Sequence, residues 1–225
     1  MIAKENLQDL YPLSPMQEGM LFQWLVDPNS DAYVEQIIYR LKGRLDVRLF
    51  EDCWRELFRR HNVLRTVFVH EKTARPLQLV LKESQPSLYF KDLSRQSPEK
   101  QEEVVAAFRR EDRKKGFSLS EDVLSRLSVF QLTTESYEVI WSFHHIVLDG
   151  WSVGLVLAEL MELYLARQAG QPTNYSGEAP YSTYIQWLEA QDRQKLQQYW
   201  RDYLRDYTGV ATLPSSLPAS PSPSY

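Results

Sequence analysis

Hydrophobic residues recur along the chain at two spacings, which predict helices and strands in alternation. Apolar positions three and four residues apart indicate helices, whereas short runs of β-branched and aromatic residues indicate strands. The predicted helices cover residues 15–26, 46–58, 97–116, 152–168 and 181–207. The predicted strands cover residues 33–42, 64–70, 76–82, 126–134 and 137–143. Because several strands are joined by short polar turns, we expect an α+β or α/β fold with a mixed sheet and flanking helices.

Polar residues at the helix starts sharpen this pattern. Ser14, Pro15 and Gln17 fit an N-cap, a first-turn proline and a capping-box glutamine. Asp46 is suited to cap the second helix and Ser97 to open the third. The apolar face of the second helix is predicted to consist of Phe50, Trp54, Leu57 and Phe58. These positions therefore define three helix starts and one buried face.

Composition excludes several classes of protein. The 225 residues include 26 basic and 30 acidic side chains, a formal net charge of −4, and no dense basic run. This balance argues against nucleic acid as a partner.

Cys53 is the single cysteine, so no internal disulfide is possible. No apolar run approaches the ~18 residues of a membrane span, and the N-terminus has no signal pattern. We therefore expect a cytoplasmic protein with no membrane contact.

Candidate chemistry is concentrated in residues 139–154, VIWSFHHIVLDGWSVG. His144 and His145 end an apolar strand, and Asp149 and Gly150 follow at a strand-to-helix junction. Neighbouring strand residues point to opposite faces, so one imidazole is expected in a cleft and the other in the core. An imidazole suits proton transfer near neutral pH. The alternative interpretation keeps both histidines in the core and makes Asp149 a helix cap. A metal site is not expected, because adjacent strand histidines diverge.

A second polar residue lies in an apolar context. Arg65 is flanked by Leu64 and Val67 in RRHNVLRTVF. A buried arginine requires a partner, and Asp149 also lies at an element boundary. We therefore expect an ion pair between Arg65 and Asp149 that ties the two segments together.

Four ordered segments resemble the motifs of one family. HHIVLDGWS at 144–152 resembles the HHxxxDG motif of condensation domains from nonribosomal peptide synthetases. YPLSPMQEGMLF at 11–22, RHNVLRTVF at 60–68 and YSTYIQWL at 181–188 resemble the first, second and fourth motifs. The order is that of the family over about 180 residues. The chain is identified as a member of this family, with a lobe similar to chloramphenicol acetyltransferase that forms the first half of a two-lobed domain.

The resemblance implies a reaction and the residues that carry it. In such domains a carrier-bound aminoacyl amine attacks an upstream carrier-bound thioester, and a peptide bond forms in a tunnel between the lobes. His145 and Gly150 are the implied catalytic residues; His144, Asp149 and Arg65 are the implied structural support; Trp151 and Ser152 are tunnel candidates. His145 acts either as a general base or as a positioning group.

Partners and domain boundaries follow from the same resemblance. The implied partners are upstream and downstream peptidyl carrier proteins, the second lobe of the domain and an adjacent adenylation domain, in antibiotic biosynthesis. The chain itself is expected to bind no cofactor, because the substrates arrive on the phosphopantetheine of the carriers. Residues 1–180 are expected to form the N-terminal lobe, 181–209 a crossover helical segment, and 210–225 a Pro/Ser-rich disordered tail.

The motif text also bears on activity and subclass. Because the later motifs are absent from this sequence, we expect the chain alone to be inactive; the alternative is a non-catalytic fragment that docks carrier proteins. Uncovered aromatic residues predict self-association. The His pair argues against a heterocyclisation domain, and GWSVGLVL favours a condensing over an epimerising type. Gly19 stands where many relatives carry arginine. We expect a condensing domain whose donor substrate ends in an L-amino acid.

Overall fold

The structure is a computed structural model that describes residues 4–27, 30–121, 123–173, 177 and 179–209. It divides into two compact units, Met1–Leu188 and Glu189–Tyr225, which are described separately. The strands are β1 (Leu7–Pro12), β2 (Val34–Lys42), β3 (Thr66–Val69), β4 (Leu77–Leu81), β5 (Leu88–Asp92), β6 (Ser125–Thr133) and β7 (Ser136–His144). The helices are α1 (Pro15–Val26), α2 (Val47–Arg60), α3 (Pro98–Lys115), α4 (Gly150–Gln168), α5 (Tyr181–Glu189) and α6 (Arg193–Tyr203).

The strands of the first unit form two sheets. An antiparallel sheet has the order β1-β4-β3, and a four-stranded sheet has the order β2-β7-β6-β5. In the larger sheet β5 runs parallel to β6, and the other pairs are antiparallel. The predicted mixed sheet with flanking helices is thus confirmed. β7 is an inner strand of the larger sheet, so its C-terminal residue His144 is hydrogen-bonded into the fold on both sides.

The main core lies between the larger sheet and the helices α2 and α4. All four residues of the predicted α2 face are buried, and the rings of Trp54 and Trp141 meet edge to face with centroids 5.8 Å apart. Burying a side chain of this size stabilises the fold by roughly 1.5–3 kcal/mol. The core thus packs directly against β7, the strand that carries His144 at its end.

The predicted helix starts are confirmed in detail. Ser14 and Gln17 form both bonds of a capping box, and the Asp46 and Ser97 side chains accept hydrogen bonds from the first turns of α2 and α3. The predicted start of α4 was two residues late, because Asp149 caps the helix and Gly150 is its first residue.

Some segments differ from the sequence prediction or lie outside the description. The long helical stretch at 181–207 is two helices, α5 and α6, because the Asp192 side chain caps a new helix start. β1 and β5 were not predicted, and four of the five residues of β5 are exposed, which removes the apolar alternation that signals a strand. The predicted tail at 210–225 lies outside the described residues. None of the helices described is long and apolar enough to cross a membrane.

Candidate active site

The two histidines lie where β7 ends and are fixed by main-chain hydrogen bonds on both sides. His144 pairs in register with Val34 of β2, and its N–H donates to the carbonyl of Leu124 at 3.1 Å. The N–H of His145 donates to the carbonyl of Tyr33 at 2.8 Å. The main chain is therefore held at both positions, at the last residue of β7 for His144 and at the first residue of the following turn for His145.

The His145 ring is held in one tautomer. Its Nδ1 lies 2.5 Å from the carbonyl oxygen of Leu148. Since a carbonyl oxygen only accepts hydrogen bonds, Nδ1 carries the proton of the neutral ring and Nε2 keeps its lone pair. The ring is half-buried, and Nε2 forms no hydrogen bond with any described residue. The arrangement presents a fixed proton acceptor at the end of the strand.

The His144 ring has the opposite arrangement. It is 1 % exposed, and its Nδ1 accepts the N–H of Ile146 at 3.1 Å. The proton of the neutral ring therefore sits on Nε2, which is buried without a partner among the described residues. Burial, assisted by the neighbouring His145, lowers the pKa of His144 to about 4. His144 is thus neutral at physiological pH and offers an N–H, where His145 offers a lone pair.

Gln17 anchors the segment that follows the histidines. Its Nε2 donates to the carbonyl of Ile146 at 3.1 Å, and its Oε1 accepts from the Gln78 amide at 3.0 Å. Both glutamines are buried. Sequence reasoning identified Gln17 only as a capping residue, since nothing local in the sequence signals a contact that spans 129 positions. The capping box has a second role, because it orients the Gln17 side chain toward residues 145–149, which we call the histidine loop.

The Asp149–Ser152 turn opens α4 and is exposed. Asp149 Oδ1 accepts the Ser152 N–H at 2.8 Å and the Ser152 hydroxyl at 2.7 Å. These bonds from Ser152 lower the pKa of Asp149. A β-carbon on Gly150 would meet nothing within 4 Å, and Trp151 is 88 % exposed. The packing of the described chain therefore does not require a glycine at this position.

Arg65 does not pair with Asp149, and that prediction was wrong. Among the described residues, its guanidinium bonds to neutral acceptors only. These are the carbonyls of Phe58, Arg59, Leu81 and Lys82 and the side-chain oxygens of Gln8 and Asn62. Arg65 is 6 % exposed, whereas Asp149 is exposed and has its own hydrogen-bond partners. The reason is geometric: Arg65 closes the junction between α2 and β3, and the helix start already satisfies Asp149. Arg65 thus stabilises the α2–β3 junction.

Metal ligation has no support in the described part of the chain. No group of three or more His, Cys, Asp or Glu side chains there is placed to hold an ion. Cys53 is buried, and burial raises the pKa of its thiol.

Comparison with known proteins agrees with this fold and motif set. A family model described as the condensation domain matches residues 7–225. Gramicidin S synthase 2 of Brevibacillus brevis is 40 % identical over 222 residues, which is 99 % of this chain and 5 % of that protein. Surfactin synthase subunit 3 of Bacillus subtilis (strain 168) is 40 % identical over 210 residues, 93 % of this chain and 16 % of that protein. The chain spans a small part of these relatives.

Solved structures share the fold at low sequence identity. The starter condensation domain of rhizomide synthetase, in a mutant form, superposes with a TM-score of 0.81 at 19 % identity, covering 91 % of this chain and 50 % of that one. The first condensation domain of the calcium-dependent antibiotic synthetase gives a TM-score of 0.77 at 20 % identity, with 89 % and 50 % covered. The match of the family model and the two synthetases together place the protein in a family: the chain belongs to the condensation domains of nonribosomal peptide synthetases.

Proposed function

We propose that the chain is the N-terminal catalytic lobe of a condensation domain, and that His145 assists attack of a carrier-bound amine on a carrier-bound thioester. The observation that carries the proposal is the 2.5 Å contact between His145 Nδ1 and the Leu148 carbonyl. This contact fixes the ring so that Nε2 keeps a free lone pair. A lone pair held in one direction suits removal of a proton from an amine or its orientation.

The proposed step is an acyl transfer. The amine nitrogen attacks the thioester carbonyl carbon, a C–N bond forms, and the C–S bond breaks as the thiolate leaves. The proton lost by the amine passes to His145 Nε2 and from there to the departing sulfur. A solved starter condensation domain of rhizomide synthetase contains C8-CoA and Leu-SNAC. That pair of molecules in a neighbour of similar fold supports acyl transfer to an amine as the reaction proposed for this chain.

The test uses a complete two-lobed domain that contains this lobe, with two loaded carrier proteins. His145→Ala should lower the rate of dipeptide formation by about 100-fold or more, the range of general acid–base assistance. His70→Gln, which changes an imidazole outside the motif, serves as the matched control and should retain the rate. Mass spectrometry of the acceptor carrier gives the rate. An undiminished rate in His145→Ala would remove His145 from the reaction.

The two roles left open for His145 differ in their pH profiles. A general base makes the rate fall towards acid pH, because a protonated imidazole cannot accept the proton of the amine. A positioning group instead allows His145→Gln, which retains a hydrogen-bonding amide, to keep most of the rate with a flat profile. Single-turnover rates of the wild type and His145→Gln between pH 5.5 and 8.5 separate the roles. We favour positioning with partial base character, because a thioester is already activated.

Exposed apolar side chains support the proposed partners. On α1 the exposed residues include Met16, Phe22 and Val26, and near the start of α4 they include Trp151 and Leu155. We propose that the second lobe and the carrier proteins cover surfaces of this kind, within a synthetase that also contains an adenylation domain. The chain alone is then inactive until the second lobe is supplied in trans. The alternative, a non-catalytic carrier-docking fragment, predicts binding of carriers but no restored transfer.

The same exposed residues lead to a proposal of self-association. Without a partner, the apolar side chains of α1 are expected to meet those of a second copy at high concentration. Sedimentation at increasing concentration should show a rising average mass, and Phe22→Ser should reduce it. A strict monomer throughout the concentration range would contradict this part of the proposal.

A further inference from the structure

The turn that leads into β2 contains an unusual backbone conformation. Tyr33 has a φ of 65°, in the left-handed region that residues with a β-carbon seldom adopt. The turn runs from Asp31 to Val34, and the N–H of Val34 donates to the carbonyl of Asp31 at 3.0 Å. Tyr33 is the third residue of this turn, where a positive φ favours glycine or asparagine. A tyrosine here therefore carries a conformational cost that a glycine would avoid.

The same residue makes a hydrogen bond between the start of β2 and the end of β7. Val34 pairs with His144 in the antiparallel register, and one position further the Tyr33 carbonyl accepts the His145 N–H at 2.8 Å. Because β2 begins at Val34, this carbonyl belongs to the turn rather than to the strand. The backbone angles of Tyr33 set the direction of its carbonyl, so the main-chain contact of His145 depends on the left-handed conformation.

The surroundings of the turn hold Tyr33 in this conformation. Its ring packs against the His144 ring, with centroids 6.2 Å apart and planes inclined at 47°, a separation typical of favourable ring pairs. At the other end of the turn, Asp31 is paired with Arg113 of α3 at 2.6 Å. The turn therefore contacts α3, the His144 ring and the His145 main chain. Contacts of this number offset the cost of an unfavourable backbone conformation.

We propose that Tyr33 is a positioning residue: its left-handed backbone directs the carbonyl to the His145 N–H and thereby keeps Nδ1 of that ring at the Leu148 carbonyl. The contact between Nδ1 and Leu148 closes the histidine loop on itself. Gln17 holds the next residue of the loop through the Ile146 carbonyl, and Tyr33 holds its first residue. A main-chain shift at His145 would move Nδ1 away from its acceptor. The inference rests on the proposed function where it concerns the reaction rate, whereas the hydrogen bond can be measured on the chain alone.

The first test measures amide hydrogen exchange by NMR in the 225-residue chain. Tyr33→Val and Tyr33→Asn both remove the ring, but asparagine tolerates the left-handed region and a β-branched valine does not. The rate at the His145 N–H is taken relative to that at Val139, in the middle of β7, so that general destabilisation cancels. We expect this relative rate to be about fivefold higher or more in Tyr33→Val than in Tyr33→Asn, the effect of losing one hydrogen bond. Equal relative rates in the two variants overturn the proposal.

Two further variants are the controls. Lys72, in the loop between β3 and β4, is the other non-glycine residue with a positive φ in the described part of the chain, at 57°. Lys72→Val makes the same kind of substitution there and should leave the His145 exchange unchanged. Tyr33→Phe keeps the ring and should match the wild type. An equal rise in Lys72→Val, or faster exchange in Tyr33→Phe, contradicts a role for the Tyr33 backbone.

A direct measurement decides the question if Tyr33→Val does not fold. In the wild type, a scalar coupling across the hydrogen bond should connect the His145 amide nitrogen with the Tyr33 carbonyl carbon. The same coupling should persist in Tyr33→Asn, because the left-handed backbone is kept although the ring is lost. A coupling that is absent from the wild type, or that disappears in Tyr33→Asn, overturns the proposal.

The second test follows the reaction in a complete two-lobed domain with two loaded carrier proteins. Tyr33→Val should lower kcat by about tenfold or more with little change in KM, because a misplaced ring affects the reacting geometry. Tyr33→Asn and Lys72→Val should stay within about threefold of the wild type. A kcat that is the same in Tyr33→Val and Tyr33→Asn would leave Tyr33 a purely structural residue and overturn its positioning role.

These outcomes are separable from those of the proposed function. Exchange at His145 that depends on the Tyr33 backbone, together with transfer that is indifferent to His145→Ala, defeats the proposed function alone. Loss of transfer in His145→Ala, together with equal exchange in Tyr33→Val and Tyr33→Asn, defeats only the inference about Tyr33.

Discussion

The α2–β3 junction and the β7–α4 junction each place polar side chains against an apolar core, yet their hydrogen bonds are organised differently. At the first, Arg65 directs its N–H groups to four backbone carbonyls and two amide side chains. At the second, His144 and His145 each use one ring nitrogen within the chain, and the other ring nitrogen has no partner among the residues that the structure describes.

This difference separates structural polar residues from those available for function. A buried group whose donors are all used within the chain adds to the stability of the fold and cannot contact a ligand without breaking bonds. A buried or half-buried group that has a donor or acceptor atom without a hydrogen bond can still bind a ligand through that atom. By this criterion Arg65 is a structural residue. His144 and His145 each have a ring nitrogen that is available for a hydrogen bond to a ligand.

The largest expected effect concerns Arg65. Arg65→Ala removes the donor from one buried and three part-buried carbonyls at once, so the free energy of unfolding should fall by about 3 kcal/mol or more. Arg65→Lys restores the charge without the planar fork and should recover only part of the loss. Urea denaturation of both variants measures the effect. A loss below about 1 kcal/mol in Arg65→Ala would show that the junction does not depend on this residue.

Gln17 ranks next, because it links the histidine loop to the capping box and to Gln78. Gln17→Leu should lower the free energy of unfolding by about 2 kcal/mol, since a buried carbonyl and a buried amide each lose a partner. It should also shift the NMR signals of the His145 ring. Gln101→Leu, at a glutamine that donates to the Leu93 and Leu132 carbonyls, is the control for general destabilisation. Identical His145 signals in both variants would contradict the anchoring role.

The pH dependence of stability tests the environment of His144. Its pKa is about 4 in the folded protein and near 6.5 when unfolded. Above pH 6.5 the ring is neutral in both states, and stability is at its full value. As pH falls from 6.5 towards 4, the unfolded state takes up a proton and the folded state does not, so stability falls. Between pH 7 and pH 5 the loss should be about 2 kcal/mol.

His144→Gln provides the comparison, because it cannot titrate in that range. Its unfolding free energy should decline less steeply between pH 7 and pH 5 than that of the wild type, whatever its absolute stability. Denaturation curves at closely spaced pH values give the two slopes. Parallel slopes would mean that His144 titrates in the folded protein much as it does in the unfolded chain.

The smallest effect belongs to Asp149, an exposed helix cap. Asp149→Ala should cost about 1 kcal/mol. Because hydrogen bonds from Ser152 lower its pKa, this contribution is present above the usual carboxyl pKa and is lost as pH falls through the folded value. The double variant with Arg65→Ala sharpens the comparison of the junctions: the two losses should add within about 0.5 kcal/mol. A larger coupling energy would indicate that Arg65 and Asp149 interact, as the ion pair predicted from the sequence requires.

Local patterns were enough to predict most of the fold. The capping residues Ser14, Asp46 and Ser97 and the apolar face of α2 follow from interactions within a few residues, which the sequence displays directly. β5 escaped prediction because its exposed side chains give no alternation. The partners of Arg65 could not be read from the sequence, because backbone carbonyls such as those of Leu81 and Lys82 carry no residue-type signal.

The candidate site was predictable in its residues but not in its arrangement. The adjacent histidines and the Asp-Gly turn are visible as a motif in the sequence. Their tautomers depend on the Leu148 carbonyl and the Ile146 N–H, and the anchor depends on Gln17 from a distant helix. These contacts are set by tertiary packing, so sequence spacing alone could not give them.

The tautomers of the two rings test the central claim most directly. In long-range ¹H–¹⁵N correlation spectra of the 225-residue chain at neutral pH, each neutral imidazole reports which nitrogen carries its proton. We predict the proton on Nδ1 for His145 and on Nε2 for His144. A proton on Nε2 of His145 would remove the lone pair on which the proposed reaction depends, and would contradict the account.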